Sequence, residues 1–429
     1  MQMQQAEAAA HSLLSALTLK QSHGGPAYFL RIFTDLIHSH PPHTLWHFYI
    51  NLLHAGFPPH LRPFNLLIHR FCNHANLTCA RQVFDEITKR SLRPTVVSFN
   101  TLIGGYCKMG HLGLALELKR SMLHYGVQPD VFTYTLLIKG FCCFGSLACA
   151  RQVFGQMLLR GLVPNTVTLT TLMDGHCKQG EMQFAIELYH ETLRKNMMPD
   201  LITFNTLING FCKAGDINEA RRLMEEDMRL NGLTPDKFTY TVLIDGCCKQ
   251  GELEAAKDIK SKMIAQGIEL DDVTYTALIS GLTRSGRAHE AETILREMIR
   301  AGFAPNEGTY TMVIGAFCSK GEVKIGFRLL KEMQRRGLKL GVVTYNVLMH
   351  GLCKIGQMRN AEMLLDAMQN VGVKPDDITY NILLEGHSRH GKGRANKEIL
   401  RGEKGMVSDY QTYVSLINDV VTNTNQIDF

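Results

Sequence analysis

The most reactive side chains in this 429-residue chain are its twelve cysteines. Eight of them, Cys72, Cys107, Cys142, Cys177, Cys212, Cys248, Cys318 and Cys353, follow one another at intervals of 35, 35, 35, 35, 36, 70 and 35 residues. Metal sites and disulfide frameworks use clustered spacings such as C-x-x-C, because the ligands must converge on one point. No C-x-x-C occurs in this chain, and a residue met once per period reads instead as a small apolar filler where one helix packs on the next. Disulfides are expected to be absent, which suits a reducing compartment or an organelle matrix. Catalysis is not expected. The H-x-E with C-x-x-C of zinc deaminases and the G-x-x-x-x-G-K-[ST] phosphate loop are both missing. His38, His40 and His43 lie close in sequence without a complete ligand set, and the acidic run Glu225 to Asp227 reads as a solvated stretch of helix. Neither a metal nor a cofactor is predicted.

A second kind of chemistry recurs on the same period. Counted from Val96, the fifth residue of each unit is Asn65, Asn100, Thr135, Thr170, Asn205, Thr241, Thr276, Thr311, Asn346 or Asn381. The last is Thr95, Asp130, Asn165, Asp200, Asp236, Asp271, Asn306, Gly341, Asp376 or Asp409. Exposed helix interiors ordinarily favour Ala, Glu, Lys or Arg, so helix stability does not select Asn and Thr at the fifth place. Capping by Asp and Asn accounts for part of the restriction at the last. A chemical account stands beside it: a carboxylate accepts a hydrogen bond from a ring N–H, as uracil and guanine present, whereas an amide donates to the bare ring nitrogen of adenine or cytosine.

The elements that must position these pairs are legible from the apolar periodicity. The fourth residue is aromatic nearly throughout, as in Phe99, Tyr134, Phe204 and Tyr310, with Leu169 the exception, and the seventh and eighth are aliphatic. This i, i+3, i+4, i+7 pattern is one buried helical face. Gly110 and its periodic equivalents end that helix. A second amphipathic run follows, such as His111 to Tyr125, with Ala115 and its equivalents allowing close approach and Met122 and its equivalents filling gaps. Gly126 with Pro129 closes the unit. One hairpin cannot bury both apolar faces, so neighbours must stack into a solenoid. The charge of +6 and 45% hydrophobic content suit such a soluble array, and no apolar stretch approaches the ~18 residues of a membrane span.

The period of 35 and the string V-V-S-F-N-T-L-I-G-G-Y-C-K-M-G at 96–110 resemble the pentatricopeptide repeat family, in its class of pure repeats without a C-terminal editing extension. The resemblance implies an all-α fold, a right-handed α-solenoid of nine to ten helix–turn–helix repeats. The units are 61–95, 96–130, 131–165, 166–200, 201–236 (one residue longer), 237–271, 272–306, 307–341 and 342–376. A short unit at 377–409, a degenerate one at 26–60, an N-terminal segment at 1–25 and a partial capping helix at 410–429 flank them. The tetratricopeptide pattern W-x-x-L-G is missing.

The family resemblance implies binding to single-stranded organellar RNA, one base per repeat. Hairpins spaced by about one helix diameter, ~10 Å, outreach stacked bases at ~3.4 Å, so the strand must be unstacked. That spacing does not by itself set the count of one base per repeat, which comes from the resemblance alone. The second residue of each unit is mostly apolar: Val97, Phe132, Val167, Ile202, Phe238, Val273, Val343 and Ile378, with Arg62 and Gly308 breaking the pattern. By resemblance these wedge between bases; contact with the adjoining hairpin would explain the apolarity as well. The thirteenth residue is basic at Lys108, Lys178, Lys213, Lys249, Arg284, Lys354 and Arg389, a stripe suited to phosphate oxygens. The second, fifth, ninth and thirteenth residues are all expected on the face opposite the buried one. The family further implies purine for Thr and pyrimidine for Asn at the fifth place, with the amino end at the RNA 5′ end. Taken repeat by repeat, the target is 5′-YUAGUGARU(U)-3′, the eighth base being an undivided purine because Gly341 has no side chain. The expected molecule is a monomer that acts by occupancy or by recruiting an RNA-processing protein, in mitochondria with plastids the alternative. A tetratricopeptide-like protein-binding scaffold is the rival reading.

Overall fold

In a computed structural model, residues 41–54 and 59–390 are described. The N-terminal segment, most of the degenerate unit, Asp409 and the expected capping helix lie outside them. A first helix, α1 (Pro42–His54), precedes nine helix pairs that coincide with the nine repeats. They are α2 (Leu61–Asn73) with α3 (Leu77–Lys89), α4 (Val96–Lys108) with α5 (Leu112–His124), α6 (Val131–Cys143) with α7 (Leu147–Leu159), and α8 (Thr166–Lys178) with α9 (Met182–Arg194). Next come α10 (Leu201–Ala214) with α11 (Ile217–Arg222, continuing through Leu223–Asp227 to Met228–Leu230), α12 (Lys237–Gln250) with α13 (Leu253–Ala265), and α14 (Asp272–Arg284) with α15 (Ala288–Arg300). The series ends in α16 (Glu307–Ser319) with α17 (Val323–Arg335), α18 (Val342–Lys354) with α19 (Met358–Asn370), and α20 (Asp377–His390). The fold is an α-solenoid. The described residues divide into two compact units, one up to Gly210 and one from Phe211.

Each turn follows from its sequence. Met109 caps α4, Gly110 takes φ +80°, and the His111 N–H returns to the Tyr106 carbonyl, closing the helix end so that α5 folds back. At the equivalent place in the first repeat, Ala75 adopts φ +58° without a glycine's freedom. The extra residue of unit 201–236 is absorbed as a π-helical turn, Leu223–Asp227, inside the second helix. Gly215 and Ala220 before that turn, and Met228 and Gly232 after it, keep their places in the pattern.

Within each unit the first helices of successive repeats lie side by side: α2, α4, α6 and α8 in the first, α12, α14, α16, α18 and α20 in the second. The aromatic residue of each first helix, such as Phe99, Tyr134 and Tyr310, is fully buried with its aliphatic partners, and Ala115 and Met122 with their equivalents are buried beside them. The periodic cysteines sit in the seam between first helices. A Cβ added at Gly105 would stand 2.2 Å from Cys72 Sγ, one at Gly175 2.4 Å from Cys142 Sγ, and one at Gly281 2.5 Å from Cys248 Cβ. These helices therefore touch along a cysteine–glycine contact. Burial pushes the thiols up, Cys72 to about 11 and Cys107, Cys142 and Cys318 to about 12, so they stay protonated and unreactive. Where Thr283 interrupts the cysteine series, the corresponding residue of the next first helix is Ala316 instead of glycine.

Candidate nucleic-acid interface

The last residue of each repeat is the N-cap of the next first helix. Asp130 Oδ1 accepts the Thr133 N–H at 2.8 Å, Asn165 Oδ1 that of Thr168 at 2.9 Å, and Asp200 Oδ1 that of Thr203 at 2.8 Å. The second unit repeats the bond from Thr239 to Asp236 at 2.8 Å, Thr274 to Asp271 at 2.9 Å, Thr309 to Asn306 at 2.9 Å and Thr379 to Asp376 at 2.8 Å. Thr95 makes a looser box with Ser98, and Gly341 has no side chain to cap with.

Capping therefore uses one oxygen of each side chain. Oδ1 is committed to the helix, and since only oxygen can accept an N–H, the orientation of each Asn amide is fixed by its cap. What is left is Oδ2, an acceptor, where the residue is Asp, and Nδ2, a donor, where it is Asn. The Thr379 N–H, its hydroxyl and the Asn346 amide hold the Asp376 carboxyl below the usual range. Asp271 is also lowered; burial opposes this, but the Thr274 hydroxyl and N–H outweigh it.

The fifth residues depart from expectation. Asn100, Thr135, Thr311 and Asn346 lie not on an open helix face but in the seam between neighbouring first helices, and are only 6% to 8% exposed. Each meets the third residue of the next repeat, a buried threonine that was not among the expected site residues. Thr135 and Thr168 share a hydroxyl hydrogen bond at 2.8 Å, as do Thr170 with Thr203 at 2.8 Å, Thr241 with Thr274 at 2.7 Å and Thr311 with Thr344 at 2.8 Å. In two of the asparagine repeats the amide donates to the following cap, Asn100 Nδ2 to Asp130 Oδ1 at 3.3 Å and Asn346 Nδ2 to Asp376 Oδ1 at 3.1 Å. Thr133 and Thr379 lie within 2.7 Å and 2.8 Å of the Asn100 and Asn346 carbonyl oxygens. Fifth, last and third residues therefore form one hydrogen-bonded triad. Exposed-helix propensity has no bearing on them, because packing places these residues between helices. Thr276 bonds only its own helix, to the Asp272 carbonyl at 2.7 Å, and Asn381 is exposed on α20. Asn205 is half-buried on α10.

The second residues stand on the surface. Val97, Phe132, Val167, Ile202, Phe238, Val273, Val343 and Ile378 are 55% to 67% exposed, so contact with the adjoining hairpin does not explain their apolarity. In the second unit Val343 and Ile378 flank a cleft of about 320 Å³ that Asn346 and Asp376 also line. A polar pair thus sits between two apolar side chains.

The basic stripe is partly neutralised within the fold. Lys178 pairs with Asp174 at 2.6 Å, Lys249 with Asp245 at 2.6 Å, and Arg389 with Glu385, the acid in each case standing one turn earlier at the ninth place. Lys108, Lys213, Arg284 and Lys354 are exposed and have no carboxylate partner among the described residues. Among those residues no group of histidine, cysteine or acidic side chains could hold a metal ion, and no helix is long and apolar enough to cross a membrane.

The fold defines a helical-hairpin repeat protein. The PPR repeat family model matches residues 94–143, 164–213, 199–249, 242–284, 271–319, 308–354 and 340–389. The pentatricopeptide repeat domain model matches 50–109, and the PPR repeat model 132–162. The chain belongs to the pentatricopeptide repeat family. A protein of Arabidopsis thaliana named as pentatricopeptide repeat-containing is 54% identical over 57 residues, 13% of this chain and 9% of that protein. The fold is similar to that of PPR10 from maize in complex with an 18-nt psaJ RNA element, with a TM-score of 0.63 and 19% identity over 97% of this chain and 62% of that one.

Proposed function

We propose that this chain binds single-stranded RNA, holding successive bases between the exposed second-position side chains and reading each through the free atom of a capped Asp or Asn. The observation that carries the reading is the cleft between Val343 and Ile378, with Asn346 and Asp376 among its lining residues. Apolar side chains that stand more than half exposed supply stacking surface for a splayed strand, and the sequence-tolerant part of binding comes from them. Specificity comes from the polarity left free at the cap. Asp offers an acceptor to U or G and Asn a donor to A or C, while the family resemblance pairs Thr at the fifth place with a purine and Asn with a pyrimidine.

Repeat by repeat this gives 5′-YUAGUGARU(U)-3′, read with the amino end at the RNA 5′ end. The bound protein acts by occupancy, shielding RNA, opening a hairpin or recruiting a processing enzyme, in organellar RNA processing, stabilisation or translation, with the mitochondrion as the proposed compartment. That maize PPR10 was solved with an RNA element supports the ligand class.

Binding of that oligonucleotide and of its scrambled version at matched salt tests the reading. The expected result is at least about tenfold tighter binding of the target. Equal binding overturns it. Alanine at Asn346 and Asp376 with RNA affinity unchanged would favour a protein-binding scaffold instead.

A further inference from the structure

The one repeat whose last residue has no side chain is not without an acceptor. Gly341 stands where the other repeats carry Asp, Asn or Thr, and the space its side chain would fill is occupied by Glu307, the first residue of the same repeat. Glu307 Oε1 accepts the Gly341 N–H at 2.7 Å and the Thr344 hydroxyl at 3.2 Å. A Cβ built on Gly341 would lie 2.4 Å from that oxygen, so a side chain at 341 would displace the carboxylate from this place. The Thr344 hydroxyl here meets Glu307 as the Thr274 hydroxyl meets the cap Asp271 Oδ1, at 2.7 Å. Asp272 and Asp377, the other acidic residues at the first place, precede no such gap. Asp272 bonds the Val273 N–H of its own helix at 3.0 Å, and the next cap is Asn306.

We infer that Glu307 is the specificity-determining acceptor of the 307–341 repeat, so that the eighth base of the target is G. The inference rests on the reading of the capped pairs as base-reading groups. Oε1 is committed to the backbone of residue 341 and to Thr344, as Oδ1 is in an Asp cap. Oε2, 3.5 Å from the position of the absent Cβ, is left as the free atom, and it is an acceptor. Thr311 is the fifth residue of this repeat and bonds Thr344 at 2.8 Å, as Thr135, Thr170 and Thr241 bond the next threonine in repeats to which the proposed reading gives a purine. A purine that donates a ring N–H to a carboxylate is guanine, since adenine presents a bare nitrogen there. Gly308 at the second place adds no side chain that would separate Glu307 from the strand.

The full chain is titrated with four oligonucleotides, 5′-CUAGUGANUU-3′ with N as G, A, U or C, and with a scramble of the G form. Glu307→Gln is titrated alongside, because its amide oxygen keeps the bonds to Gly341 and Thr344 and its nitrogen turns the free atom into a donor. The expected result is about tenfold tighter binding of G than A for the wild type, and a reversal towards A for Glu307→Gln. The double variant Glu307→Ala/Gly341→Asp, which returns the carboxylate to the ordinary place, recovers the preference for G. Should the target beat its scramble while G and A bind alike, or should Glu307→Gln leave the G preference intact, Glu307 is not the reader, although the wider reading survives. If no form beats the scramble, both fall together.

Discussion

A carboxylate and a carboxamide at the end of a repeat cap the helix through the same oxygen and differ in the atom they leave free. Asp130→Asn separates the two roles. Asn at this place caps Thr168 and Thr309 elsewhere in the chain, so the variant keeps its melting temperature within about a degree, while the free acceptor becomes a donor. The second base of the target should shift from U to C, with about tenfold discrimination in each protein, measured by titration with the two single-base variants. An unchanged preference for U would mean that the cap does not read the base. The restriction to Asp and Asn was legible in the sequence, but capping and recognition stood there as competing explanations. In the structure the cap uses one oxygen of the side chain, and the proposed recognition falls to the other terminal atom. Thr133 and its equivalents, three residues after each cap, were equally visible as half of a capping box, yet their bond to the preceding repeat spans 33 residues and no local pattern announces it. The same limit hid Glu307, whose partner Gly341 is 34 positions away.

Helix pairs, turns and the buried face followed from periodicity, because apolar spacing and glycine punctuation are local signals. The insertion in unit 201–236 was visible as a length of 36, but its accommodation as a π-turn depends on the flanking residues keeping their packing register. Adjacent glycines offered no such guidance. Gly104 and Gly105 look alike in sequence, yet a Cβ at Gly104 meets only Leu136 at 3.7 Å, whereas the tenth position faces a cysteine of the preceding first helix. Replacing a glycine inside a helix by alanine gains about 0.5–1 kcal/mol where there is room. Gly104→Ala should therefore stabilise the protein by that amount. Gly281→Ala should do the opposite. Its Cβ would stand 2.5 Å from Cys248 Cβ, 2.6 Å from its Sγ and 3.1 Å from its Cα, so the neighbouring backbone has to move. Overpacking of that kind costs roughly 1–3 kcal/mol, enough to reverse the helix-propensity gain. Chemical denaturation of the two variants reads both signs, and stabilisation by Gly281→Ala would show that the seam between first helices has slack.

Across the whole molecule the net charge of +6 says little about the electrostatics of RNA binding, since the cations that matter are those not already held by carboxylates. The sequence displayed seven basic residues at the thirteenth place, three of them four residues after an acid, without showing that those three pairs close. Lys178, Lys249 and Arg389 are paired to Asp174, Asp245 and Glu385, leaving Lys108, Lys213, Arg284 and Lys354 to meet phosphates without first giving up a salt bridge. For a single strand each neutralised phosphate contributes a slope of about −0.7 in log K against log salt, so four free cations set a slope of about −3, whereas all seven would set one of about −5. Affinity measured between low and moderate salt distinguishes these values. Asp174→Asn releases Lys178 in an otherwise unchanged repeat, and it should steepen the slope by about 0.7 and tighten binding at low salt, with the base preferences of the neighbouring repeats unaltered. A wild-type slope of about −5 that Asp174→Asn leaves unchanged would mean that RNA already displaces the acidic partners, and that the pairing seen in the free protein does not limit phosphate contact.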